Sequence, residues 1–156
     1  MTEPYYYRTE VEWTGQKRGE LRSPMLPDIR IATPPEFNGH AGAWTPEHLF
    51  VSAVNSCFMT TFLAVAEMSK LEFTSFKSDA VGKLEKVEGQ GYMITEVIIC
   101  PRLTILHARD TDRAGRILEK AEKNCLVSKS VRSAVKIEPL IEVSAESEAE
   151  DVGALA

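Results

Sequence analysis

Between Thr45 and Met68 the apolar positions do not keep to one stripe. Leu49, Phe50, Val54, Phe58, Phe62, Leu63 and Val65 spread around a helical wheel, and a helix apolar on nearly all sides is expected at the centre of a fold. Thr45 is suited to cap its start, and Pro46 fits the first helical position, where a missing N–H costs nothing. At about 1.5 Å per residue such a helix runs roughly 35 Å, which is long for a small domain. Downstream, "FKSDAVGKLEKV" and "YMITEVIICPRLTIL" read as strands joined at "EGQG". In "TDRAGRILEKAEKN", Ala114, Ile117, Leu118 and Ala121 fall at the i, i+3, i+4, i+7 spacing of a helix. "CLVSKSVR" predicts a short helix, and the alternation in "VKIEPLIEV" predicts a final strand. Near the start, "YYYRTEVEWT" and "ELRSPM" flank "GQKRG" as two strands around a turn. Residues 24–44, rich in Pro and Gly around the strand-like "IRIAT", form a long connection of the kind that often carries function. The order predicts an α+β fold whose antiparallel sheet wraps a buried helix.

Composition narrows the function classes. The chain has 156 residues, 44% hydrophobic and 26% charged, which suits one soluble domain. The formal charge is −5, but four of the 23 acidic residues lie in the tail "SAESEAEDVGALA", leaving 19 against 18 basic ones. A nearly neutral body makes nucleic acid and anionic membranes poor partners. The domain is accordingly expected over residues 1–143, with 144–156 a disordered acidic tail. No signal-like segment opens the chain, and the longest unbroken apolar run, "FLAVA", is short of the roughly 20 residues of a span. Three cysteines, an odd number, argue for reduced thiols in a cytoplasmic protein rather than a secreted disulfide framework.

The candidate chemistry centres on Cys57. A free cysteine in an apolar helix is most often a small core residue. Glu47 opens the same helix, where the helix dipole alone would favour it. Cys125 continues the apolar stripe of Ala114 to Ala121; if Asn124 ends that helix, Cys125 begins the next, where N-terminal N–H groups lower a thiol pKa. Core filling accounts for it about as well. Lys17 and Arg18 by themselves are an exposed basic turn. One geometric point constrains the set: ten residues of helix rise about 15 Å, so Glu47 and Cys57 of one helix cannot touch. A site using both must take Glu47 from a second copy of the chain.

Four features together resemble the osmotically inducible protein C / organic hydroperoxide resistance (OsmC/Ohr) family over roughly residues 8–143. They are "TPEHL" opening a helix, Cys57-Phe58 ten residues after Glu47, "NCLVS" late in the chain, and the turn "GQKRG". The resemblance implies an OsmC-like α+β fold, with antiparallel sheets wrapped around long central helices in an intertwined homodimer. It also implies a thiol-dependent peroxidase that uses no cofactor and no metal. Cys57 would be the peroxidatic cysteine and Cys125 the resolving one, with Glu47 and Arg18 holding and activating the site; Lys17 is the alternative to Arg18. An arginine beside the thiol would lower its pKa and could be oriented by the glutamate. Apolar Val54, Phe58 and Phe62 would receive a hydrocarbon tail, which favours an organic hydroperoxide. A dithiol reductant, in the family a lipoylated protein, would restore the thiols.

Leu126 departs from the family, many of whose members carry Pro after the resolving cysteine. His40, Trp44 and His48 lie near these motifs without an assigned role, and Cys100, alternating with Arg102 and Thr104, is expected to face away from the core. No C-x-x-C or H-x-x-x-H spacing suggests zinc. Two rival readings remain: a hot-dog-type acyl thioesterase, which also wraps a sheet around a helix and uses a helical Glu, and a non-catalytic stress or binding protein of the same fold.

Overall fold

A computed structural model of the chain describes residues 2–145, so the acidic stretch expected to be disordered lies outside the described residues beyond Ala145. The chain divides into two compact units at Phe50/Val51.

The first unit carries a three-stranded antiparallel sheet of β1 (Glu10–Gly15), β2 (Arg18–Arg22) and β3 (Ile29–Ala32), in that order. The turn is tighter than the glycine-flanked loop expected. Gly15 and Gln16 take positive φ, and Arg18 already pairs with Gly15 and with Ala32, so Arg18 opens β2 rather than sitting in the turn. Positive φ is cheap for glycine and lets two residues reverse the chain. The connection after β3 is compact. Gly39 and His40 donate their N–H groups to Pro34 O and Thr33 O, and a Cβ on Gly39 would stand 1.7 Å from Thr33 O, so only glycine closes this loop. It delivers the chain to Thr45, whose Oγ1 accepts the N–H of His48 at 3.1 Å, the expected cap of helix α1 (Pro46–Met68).

The second unit is built on two 15-residue strands, β4 (Phe73–Val87) and β5 (Gly91–Ile105), paired antiparallel. Helix α2 (Thr111–Asn124) and the short α3 (Leu126–Lys129) follow. The single last strand expected is two, β6 (Ala134–Ile137) and β7 (Leu140–Val143), and both lie parallel to β5. The sheet is therefore mixed. A crossover as long as the α2–α3 segment allows a parallel return, which a hairpin cannot give. Glu138 and Pro139 separate the two strands, and across from that break the registers leave Cys100 and Pro101 of β5 unpaired on this side. Pro101, with no N–H to donate, falls where none is required.

β5 alternates as the sequence suggests: Val97, Ile99, Pro101, Leu103 and Ile105 are buried, while Cys100, Arg102 and Thr104 are not. The α2 stripe of Ala114, Ile117, Leu118 and Ala121 is buried as well. From α1, Phe62 stacks on Phe76 of β4 with ring centres 4.8 Å apart and meets Phe73 edge-on at 5.3 Å. Full burial of Phe62 contributes about 1.5–3 kcal/mol. Asn55 and Ser78 exchange two hydrogen bonds, of 2.9 and 2.7 Å, which pin α1 to β4. Gly82 permits the approach: a Cβ there would come within 2.4 Å of Val51.

α1 differs from the all-round burial expected of it. Only Val54, Phe58, Phe62, Val65 and Ala66 are buried, whereas Ala53, Ser56, Met59, Thr60, Leu63 and Ala64 are exposed. One sheet shields one side of a helix, and among the described residues the other side of α1 is left exposed. By length and composition α1 is also apolar enough to cross a membrane despite its polar interruptions; its stacking on β4 is that of a core helix.

Candidate active site

Cys57 and Cys125 meet in the second unit. Cys57 stands half-buried in mid-α1, and Cys125 is fully buried at the junction of α2 and α3. Asn124 does end α2, and Cys125 is the N-cap of α3: its carbonyl accepts the N–H of Lys129 at 3.1 Å. The Cys125 side chain lies close enough to the Cys57 thiol to act on its proton.

The surroundings of Cys57 act on its proton in both directions. Burial, the largest single influence, raises its pKa by disfavouring the thiolate. Four hydrogen bonds oppose it, from the N–H of Val127, the Cys125 thiol, the Thr61 hydroxyl and the N–H of Leu126. The net direction is below the ordinary thiol value. The free N–H groups of the first α3 turn, which the sequence reading directed at Cys125, thus point to Cys57 instead. An N-cap residue sits beside its helix axis, while the N–H groups of the next residues project past the helix end. Thr61, one turn beyond Cys57, and the Leu126 and Val127 amides are the site groups that sequence reasoning missed. A cysteine placed at a helix start was the available signal for the amides.

The remaining site candidates lie elsewhere. Arg18 is exposed at the start of β2, donates to Gln16 Oε1 at 3.1 Å and has no carboxylate partner among the described residues. Lys17 is engaged, donating to the Phe37 carbonyl at 3.3 Å. Arg18 and Pro46 line one hollow of about 370 Å³ in the first unit, with Trp13, Lys17 and Thr33 also on its wall. Next to Pro46 stands Glu47, whose Oε2 is buried without a hydrogen-bond partner. α1 is continuous from Pro46 to Met68, so Glu47 and Cys57 remain about 15 Å apart along it. Val54, Phe58 and Phe62, expected to receive a substrate tail, have no exposed surface at all. Phe58 and Phe62 pack against Phe76 of β4. His48 is accounted for by its Nδ1 contact of 2.7 Å with Thr45 Oγ1 and an edge contact with Trp44.

The α+β architecture can be set beside known proteins. The chain belongs to the OsmC-like protein family, whose profile matches residues 39–139. It is 23% identical over 143 residues to the uncharacterized protein YmaD of Bacillus subtilis, covering 88% of this chain and 93% of that one. Among solved structures it resembles an OsmC-like protein of unknown function from Vibrio cholerae, with a TM-score of 0.81 and 20% identity over 88% of this chain and 100% of that one. It also resembles the organic hydroperoxide resistance protein OhrB of Bacillus subtilis, with a TM-score of 0.65 and 22% identity over 90% of this chain and 98% of that one. At these identities the structural likeness establishes the OsmC-like fold, which favours that reading over the hot-dog alternative.

Proposed function

We propose that the protein is a cytoplasmic thiol-dependent peroxidase that reduces organic hydroperoxides to alcohols. The observation that carries this reading is the closeness of two thiols beside the α3 amides, with the pKa of the half-exposed one held below its ordinary value. Several fold neighbours, OhrB among them, are named for organic hydroperoxide resistance, which supports the same reading. In the reaction the Cys57 thiolate attacks one peroxide oxygen and the O–O bond breaks. Sulfur is oxidised to a sulfenic acid, and the departing alkoxide takes a proton to leave as the alcohol. The Cys125 thiol then displaces hydroxide from the sulfenic sulfur; with the thiol proton it departs as water and a Cys57–Cys125 disulfide remains. A dithiol reductant, of which a lipoylated protein is one kind, restores both thiols by two exchange steps.

In this reading the working unit is a homodimer. Three features support it: the unpartnered Glu47 oxygen, an Arg18 without a carboxylate, and the bare apolar side of α1. A second copy would cover that side and bring its own Glu47 and Arg18 to Cys57. Sedimentation at micromolar concentration is expected to give a dimer, and a fully active monomer would rule out the shared site. The catalytic reading itself is tested by substrate and reductant choice. Cumene hydroperoxide should be consumed faster than hydrogen peroxide, and with a dithiol rather than a monothiol. Equal slow consumption of both, independent of the reductant, would return the chain to the non-catalytic class.

A further inference from the structure

Thr61 stands where it can serve the sulfur of Cys57 directly. Its Oγ1 lies 3.9 Å from Cys57 Sγ, one helical turn on, while donating to the Cys57 carbonyl at 2.8 Å. That carbonyl is over-supplied. Thr60 Oγ1 also donates to it, at 3.0 Å, and it is the acceptor at i−4 for the helix N–H of Thr61 itself. A carbonyl oxygen has two lone pairs, and here three donors converge on it. One hydroxyl hydrogen is therefore dispensable, and that of Thr61 is the one within reach of sulfur.

We propose that Thr61 is a positioning residue for Cys57: by turning its O–H about the Cβ–Oγ bond it donates to the sulfur when that atom is negative. When the sulfur is protonated, its S–H donates to Thr61 Oγ1, and the Thr61 hydrogen stays on the carbonyl. On ionisation the direction reverses. Thr60 and the helix N–H keep the carbonyl satisfied, so the reversal costs no orphaned acceptor and no rotamer change. Cys125 is the titratable group set against Cys57 here; the other donors, the amides of Leu126 and Val127, do not titrate.

This role rests on Cys57 being the reactive thiol, but its test needs no peroxide. The rate of iodoacetamide alkylation of Cys57, followed by mass spectrometry of its peptide in the full-length protein from pH 5 to 10, gives the thiol midpoint. Thr61→Val, nearly isosteric, should raise that midpoint by about 0.5–1 pH unit, the scale of a weak hydrogen bond to a charged group. Thr61→Ser should restore the wild-type midpoint, and Thr60→Val, which leaves the helix N–H on the carbonyl, should move it much less than Thr61→Val does. An unshifted midpoint in Thr61→Val, or an equal shift in Thr60→Val or Thr61→Ser, overturns the proposal. Failure of the peroxidase reading looks different: the midpoints would follow this pattern while hydroperoxide is not consumed.

Discussion

Cys57→Ser is expected to lose hydroperoxide reduction by more than about 10³-fold, the order seen when an enzyme's nucleophile is removed. The reaction needs an atom that is anionic near neutral pH and readily oxidised. A serine hydroxyl is neither without a strong base beside it, and amide and thiol donors around Cys57 stabilise an anion without accepting its proton. The substitution is small, so the fold should persist and the loss should be chemical. Cys100→Ser is the matched control. Cys100 lies on the opposite face of β5 from the buried Ile99, Pro101 and Leu103, opposite Asp79 of β4, and its replacement should keep most of the activity. An inactive Cys100→Ser beside an active Cys57→Ser would move the nucleophile to β5. The pH dependence has a definite sign. Because the Cys57 pKa is lowered, the rate should rise through a midpoint below that of an ordinary thiol and be lost as pH falls through it. A midpoint at or above the ordinary value would mean that burial outweighs the four donors.

The second large effect concerns Cys125. In the wild-type protein one equivalent of organic hydroperoxide should consume two thiols and link the peptide containing "NSCF" to the one containing "NCLVSK". The Cys125 side chain is near enough to act on the Cys57 proton, and closing the disulfide requires the two Cα atoms to come within about 7 Å. Cys125→Ser should consume one thiol per peroxide, retain the first turnover, and lose steady-state turnover with the dithiol. Its sulfenic acid has no partner and should advance to sulfinic acid as peroxide is increased. Serine is also a favoured N-cap, so α3 should still begin there and the loss would not reflect unfolding. A link from Cys57 to Cys100, or unchanged resistance to over-oxidation in Cys125→Ser, would remove Cys125 from the cycle.

Local chemistry made much of this protein legible from its residues. Thr45-Pro46 starts α1, the spacing of Ala114 to Ala121 makes α2, and the alternation along β5 sets which face is buried, because caps and periodicity act within a few residues. Resemblance singled out Cys57 and Cys125, but their closeness is a property of the fold: they stand 68 positions apart in the chain, and no periodicity reports on such a distance. Tertiary structure also decided that β6 and β7 run parallel to β5, since strand direction follows from where a crossover lands. It turned Val54, Phe58 and Phe62 inward, because α1 presents to β4 whichever face Gly82 and the Asn55–Ser78 pair allow. Finally, it aimed the α3 amides at Cys57 rather than at the cysteine that caps them, since a sequence shows where a helix starts, while only packing determines what stands in front of it.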